Sequence, residues 1–217
     1  GFAAYEPGSG STIMAYAGIC DAGDLQPHSD PYFHAKSLAE MGTYSSNAST
    51  GGSCSSNMPN PNTAPLIAPL ANYVIPANTP FVLTGSAMSA SGGTLTYAWE
   101  EYDLGTANNN LNNDPGTGPI IRSIKPGTSP TRTIPSLANL AAGTGLYGEI
   151  LPTKNRAAMK FRLTVRDNVD DGGTTASADM SLQVVATANG SNYGPFKLTA
   201  PNTAVTWTGD TVETVTW

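Results

Sequence analysis

The chain holds two histidines, His28 and His34, and two cysteines, Cys20 and Cys54. These side chains bind transition metals, so they come first. A catalytic zinc takes about three protein ligands and keeps one position open for water. His28 and His34 stand six residues apart, with Pro27 and Pro31 beside them. One helical face therefore does not present both. The HExxH spacing places two imidazoles one helical turn apart, with a glutamate to take the proton of a bound water. It is absent from the sequence. His34 sits at helical spacing from Leu38 and Met41, which points to a partly buried structural place.

Oxygen ligands are richer. Asp167, Asn168, Asp170 and Asp171 fall in five consecutive positions, and calcium takes six to eight oxygens. Asp, Asn and Gly are also what an ordinary hairpin turn requires. A Cys20–Cys54 disulfide would close a loop of about 35 residues and add roughly 4 kcal/mol in the chain-entropy model. Two free thiols, or partners elsewhere, are the alternatives. Glu100, Lys160 and Arg162 read as outward residues of neighbouring strands, able to form charge pairs of roughly 0.2–1 kcal/mol each on a wet face. They form no catalytic dyad. No Ser/His/Asp set, P-loop or dinucleotide fingerprint stands in a credible context, and Asn108–Asn113 reads as a polar loop.

The elements that must position these residues fall into four blocks. Residues 1–44 contain a Gly/Ser turn region and one short helix. Ser29 or Asp30 can cap it, with Pro31 at its first position. Ala35, Leu38, Ala39 and Met41 share a face at helical spacing, so that face is expected to dock on the β block or on a partner chain. Residues 45–64 are a Ser/Asn/Gly/Pro linker interrupted by Cys54. Residues 65–187 read as strands. Leu95, Tyr97 and Trp99 alternate with polar residues; so do Met159, Phe161, Leu163 and Val165, and Met180, Leu182 and Val184. Period two with one apolar face gives strands that are dry on one side and wet on the other. Tyr73–Ile75, Phe81–Ala87, Ile120–Ile124 and Thr131–Ile134 are weaker strands, and Leu137–Leu140 can make one helical turn. About seven strands with a Trp on the third predict a mainly β fold, an immunoglobulin-like β-sandwich. Residues 188–217 read as the opening strands of a following β module: Phe196–Thr199, Val205–Thr208 and Val212–Trp217.

Composition limits the functions. Of 217 residues, 10 are basic and 16 acidic, for a net charge of −6. Binding nucleic acid phosphates needs clustered Lys and Arg, so nucleic acid is not an expected partner. No apolar run is long enough to span a bilayer. A Ser/Thr/Asn/Gly-rich chain with few lysines and an even cysteine count fits a secreted, extracellular protein.

Two stretches carry a resemblance. Gly10-Ser11-Thr12-Ile13-Met14-Ala15-Tyr16-Ala17-Gly18-Ile19-Cys20 resembles the Met-turn of the metzincin zinc peptidases. Asp24-Leu25-Gln26-Pro27-His28-Ser29-Asp30-Pro31-Tyr32-Phe33-His34-Ala35-Lys36-Ser37 looks like the closing segment and last helix of bacterial reprolysin-like (M12B) members. Asn72–Pro76 and Thr94–Glu100 resemble the Ig-like or PKD-like module that trails such enzymes. The resemblance implies that residues 1–44 are the end of a peptidase domain. Met14 would be the apolar floor beneath the zinc, and Tyr16 would reach toward the metal or the oxyanion. Ala17, Gly18 and Ile19 would wall the pocket for the substrate side chain beyond the scissile bond. Zinc and the catalytic residues would lie in an upstream catalytic domain, which would act on a protein or peptide. This chain alone is expected to be inactive, its Ig-like unit serving as spacer or targeting module. The alternative is an extracellular Ig-like adhesion or binding domain with no peptidase role.

Overall fold

The structure is a computed structural model, and it describes residues 3–54, 58–105, 111–170 and 172–217. The chain is mainly β. In order, the elements are α1 (Ala35–Ser46), β1 (Leu66–Ile67), β2 (Tyr73–Pro76), β3 (Phe81–Thr84), β4 (Ala87–Met88), β5 (Leu95–Glu101), β6 (Thr131–Ile134), α2 (Leu137–Ala142), β7 (Arg156–Asp167), β8 (Thr174–Val185), β9 (Thr187–Ala188) and β10 (Ser191–Asn192). Short 3-10 turns cover Asp21–Gly23 and Gly51–Cys54. Among the described residues, no helix is long and apolar enough to cross a membrane.

The main sheet runs β2-β8-β7-β5, with β2 parallel to β8 and the other pairs antiparallel. β3 and β6 pair antiparallel, Phe81 opposite Ile134. Their inward residues Phe81, Leu83 and Ile134 join Trp99, Met159, Phe161, Leu163, Val165, Met180, Leu182 and Val184 in one buried core. Phe81 meets Phe161 edge-on at 5.8 Å, the geometry favoured by the ring quadrupoles. The period-two reading of β7 and β8 therefore matches which side chains are buried. Trp99 Nε1 donates to Pro130 O at 3.0 Å, satisfying the one polar atom of the largest core side chain.

Several expectations change. Ile120–Ile124 is no strand: one isolated bridge joins Ile121 to Glu149. Ile120 and Ile121 are nevertheless buried in the core. Leu137–Leu140 does form the helical turn of α2, capped by Ser136 and ended by Gly143 in the left-handed region. The helix near Pro31 starts later, at Ala35, and its cap is His34. Its apolar face is covered only along the first turn: Ala35 is buried and Leu38 half-buried, while Ala39 and Met41 are exposed. A dozen residues of helix are thus anchored by their first turn and by residues 47–54, which fold back beneath Tyr44. Residues 58–64 are less free than a linker composition implies. Asn60 and Asn62 both donate to Gly172 O, and Thr63 O accepts from Thr174. In the polar loop Asn108–Asn113, residues 108–110 lie outside the described residues. Residues 196–199, 205–208 and 212–217 form no regular strands, only a bridge between Ala200 and Thr216.

The larger departure concerns the second face of the main sheet. Strand alternation predicts it wet, yet Ala98, Glu100 and Thr164 are buried there. Residues 3–35 cover it. Ala4 bridges Gly105, Ser11 Oγ donates to Ser123 O at 3.2 Å, and Arg166 Nη2 donates to Phe33 O at 3.1 Å. Leu25 packs against Gly148 so closely that a Cβ there would lie 2.1 Å from Leu25 Cδ2.

Candidate functional site

The segment around Met14 is built by one carboxylate. Glu6 Oε1 accepts the backbone N–H of Ser11 at 3.0 Å, and Glu6 Oε2 accepts the Thr12 hydroxyl at 2.6 Å. Charge-assisted bonds of this kind are the strong ones. Ser9 O accepts Tyr16 N–H at 2.8 Å, and Thr12 O accepts Ala15 N–H at 3.0 Å. The result is a tight turn that pushes Met14 outward, 64 % exposed, beside an exposed Tyr16. A second carboxylate, Asp24, accepts the N–H groups of Gly18 and Cys20 at 2.9 and 3.0 Å and closes the following loop.

Gly18 is required there. Its φ is +87°, and a Cβ would sit 2.1 Å from Pro27 O, a backbone atom that cannot step aside. Gly18→Ala is expected to destabilise the protein by about 1–3 kcal/mol, the cost range of a residue forced into sparsely populated backbone space. Urea unfolding measures it. A loss under about 0.3 kcal/mol would show that the loop has another conformation of equal energy.

Between this turn and α1 lies a cleft of about 840 Å³. Met14, Ala15, Tyr16 and Cys20 form one wall, and Met41, Tyr44 and Ser45 of α1 the other; Tyr5, Glu6 and His34 also line it. That volume falls within the range of ligand-binding clefts. Ala17, Gly18 and Ile19 are not among its lining residues; Ile19 is exposed.

His34 is buried, 2 % exposed. Its Nδ1 accepts the Lys36 N–H at 3.1 Å, capping α1. Its Nε2 faces Glu100 Oε1 at 4.0 Å, and neither atom has a hydrogen-bond partner. The other oxygen, Glu100 Oε2, accepts the Ala35 N–H at 3.0 Å. Burial pushes the Glu100 carboxyl above its ordinary range, opposed by His34, the Ala35 N–H and Arg166. Burial also raises the Tyr32 hydroxyl, with Glu100 and Glu6 adding to it. Glu100 is therefore no outward partner of Arg162. Arg162 pairs with Asp179 at 2.6 Å and lies over the Tyr102 ring.

His28 is exposed and does not converge with His34, both of whose nitrogens are already directed elsewhere. Among the described residues, no group of three His, Cys, Asp or Glu is placed to hold a metal. At the candidate calcium turn, Asp167 Oδ2 accepts the Ser89 hydroxyl at 2.6 Å. The Asn168 amide donates to Thr94 O at 2.6 Å. These two side chains staple the turn to the strand before Trp99, as a hairpin would. Asp171 lies outside the described residues. Cys20 and Cys54 carry free thiols in this structure, the first half-buried and the second exposed.

A second buried polar cluster is foreseen by no motif. Arg156 Nη2 meets Asp114 Oδ1 at 2.5 Å, and Arg156 Nη1 donates to Gly118 O at 2.9 Å and lies 3.9 Å from Glu101 Oε1. Glu101 Oε2 accepts the N–H groups of Ile120 and Ile121, each at 2.7 Å. Asp114 Oδ2 accepts Thr153 N–H at 2.8 Å. Burial pushes the Asp114 carboxyl up, but Arg156 and the N–H groups of Gly116 and Thr153 more than offset it, leaving it below its ordinary value. The one signal in the sequence is the pair Glu100-Glu101 ending an alternating strand, since neighbours on a strand point to opposite faces.

No known protein family matches this chain, and no curated protein is significantly similar to it.

Proposed function

We propose that this chain is the C-terminal portion of a secreted zinc metallopeptidase of metzincin type. In this reading an immunoglobulin-like β-sandwich follows the last elements of the catalytic domain as a spacer or targeting module. The observation that carries the reading is Met14. Met14 is 64 % exposed at the tip of a turn that Glu6 and Ser9 brace through Ser11 and Tyr16. It makes sense as a platform for an element that packs on top of it. The exposed Met41 and Tyr44 across the cleft belong to the same uncovered apolar surface.

The docking of residues 3–35 on the main sheet gives the spacer a mechanical role. It fixes the Met14 turn to a rigid β unit through Ser11–Ser123 and Ala35–Glu100. In this reading the chain's residues position and support the upstream catalytic domain.

The test joins this chain to the segment encoded upstream of Gly1 and measures casein cleavage with and without a zinc chelator. Chelator-sensitive cleavage by the joined protein, and none by residues 1–217 alone, is expected. An upstream segment with no paired histidines flanking a glutamate, or a joined protein without cleavage, overturns the reading.

A further inference from the structure

Asn189 is the only asparagine of the chain followed by glycine. The pair forms the two-residue loop between β9 and β10, where Ser191 stands opposite Ala188 and Asn192 opposite Thr187. Both φ angles are positive, +51° at Asn189 and +76° at Gly190, as in the type I′ turn that Asn-Gly favours. Asn189, Gly190 and Ser191 are exposed, and a Cβ at Gly190 would meet nothing within 4 Å. Among the described residues, no hydrogen bond holds the Asn189 side chain or the Gly190 N–H. Other asparagines are placed differently. The side chains of Asn60, Asn62, Asn155 and Asn168 donate to backbone carbonyls. Each precedes a residue with a Cβ: Pro61, Thr63, Arg156 and Val169.

We propose that Asn189 is a self-modification site: its side chain closes on the Gly190 nitrogen, and water opens the ring to an isoaspartyl residue that loosens the β9–β10 hairpin. The Gly190 N–H gives its proton to solvent, and the nitrogen attacks Asn189 Cγ. The Cγ–Nδ2 bond breaks, and Nδ2 leaves as ammonia once it has taken a proton. Water then adds to the succinimide. Breaking the bond from nitrogen to Cγ gives aspartate; breaking the bond to the backbone carbonyl carbon gives isoaspartate. No electrons change hands, and water is the only co-reactant. The inference rests on this turn and is independent of the peptidase reading.

The attack needs rotation about the Asn189 Cα–C bond. The turn permits it, because the strands it joins have two residues each and nothing packs on Gly190. Glycine also removes the Cβ that crowds the attacking nitrogen in every other asparagine pair. The product inserts one extra backbone atom into a two-residue turn, so the register of Ser191 with Ala188 is no longer closed by that turn. The next ladder bond, Tyr193 N–H to Ala186 O at 2.7 Å, loses its support. β9 itself stays tethered, since Asn155 Oδ1 accepts the N–H groups of Ala186 and Thr187. The loosening therefore falls on β10 and Tyr193.

Ageing the full chain in mildly alkaline buffer tests the proposal. Tryptic residues 167–197 hold Asn168, Asn189 and Asn192 in one peptide, and electron-transfer fragmentation distinguishes isoaspartate from aspartate within it. Conversion at Asn189 is expected to run at least about tenfold faster than at Asn168 or Asn192, with isoaspartate among its products. Gly190→Ala places a methyl in open space and should slow the conversion by a similar factor. Amide hydrogen exchange reads the consequence. Protection of the Tyr193 amide should fall about tenfold in the isoaspartyl form, the scale of one hydrogen bond. Freshly prepared Asn189→Asp carries the new charge without the extra backbone atom and should keep that protection. Conversion at Asn189 no faster than at its two neighbours in the peptide, or undiminished in Gly190→Ala, would overturn the proposal. So would Tyr193 protection unchanged in the isoaspartyl form, or lost equally in Asn189→Asp.

Discussion

Replacing Arg156 by methionine is expected to destabilise the protein by about 3–5 kcal/mol at neutral pH, the cost of leaving a buried charge without its partner. The Arg156 guanidinium is the cation placed between the Asp114 and Glu101 carboxyls. Both acids are essentially inaccessible to water. Methionine fills much of the stem's volume but offers no donor. Asp114 would then keep only backbone N–H groups and the Thr153 hydroxyl, and Gly118 O would lose its partner. The damage reaches beyond one side chain, because this cluster ties residues 111–121 to β5 and β7. Those residues carry Leu111, Ile120 and Ile121 into buried positions. Urea unfolding should show a midpoint moved far down at a nearly constant slope. The double variant Arg156→Met with Asp114→Asn should recover part of the loss, since it removes the stranded charge. A single-variant loss under about 1 kcal/mol would mean that water reaches the cluster on demand.

The long strands are legible in the sequence because one rule governs them. From Met159 to Arg166 and from Ala176 to Val184, β7 and β8 alternate apolar with polar residues, and the face that a strand buries in the core follows period two. The second face of β5 is not legible by that rule. Whether it is wet depends on what lies over it, and the covering segment comes from residues 3–35, far away in sequence. Glu100 reads as a solvated charge because local spacing carries no record of that cover. Its burial has a local cost that the fold accepts for the bond to Ala35 N–H and the approach of His34.

The helix illustrates a different failure. Ser29, Asp30 and Pro31 satisfy every local rule for a helix start, but the Tyr32 carbonyl accepts Ile13 N–H and the Asp30 N–H donates to Ser11 O. These tertiary bonds hold the chain extended past Pro31, and the start moves to His34. At the cleft, Met14 and Tyr16 stand out in the sequence, whereas Glu6 does not. A lone glutamate five residues ahead of Ser11-Thr12 gives no signal until the turn brings it back. The same holds for Asp114 and Arg156, which meet across 42 residues.

Stability should fall as pH rises from about 5 to about 9, opposite to the behaviour that salt-bridged surface carboxylates give. The cause is Glu101. Burial pushes its carboxyl from 4.5 up to about 8, with the nearby Asp103 charge adding to the rise and the Ile120 and Ile121 N–H groups and Arg156 opposing it. A folded-state value above the unfolded one means that the native protein holds a proton the unfolded chain releases. The stabilisation is complete below about pH 4.5 and is lost as pH climbs through about 8. Each pH unit separating the folded and unfolded values is worth about 1.4 kcal/mol, so the loss is on the order of 3–5 kcal/mol. Glu100 and Asp103, both raised first by burial, act in the same direction. Asp114, held low, contributes the opposite slope, but only at acid pH, where its carboxylate protonates. Glu101→Gln isolates the effect, because the amide oxygen can still accept from Ile120 and Ile121 while no proton remains to be lost. The variant should be more stable than the parent at pH 9, with its decline between pH 5 and 9 reduced by more than half. Urea midpoints across that range decide it. A parent whose stability is flat or rising over this interval, or a variant whose decline matches the parent's, would mean that Glu101 stays ionised in the fold and that Arg156 neutralises it.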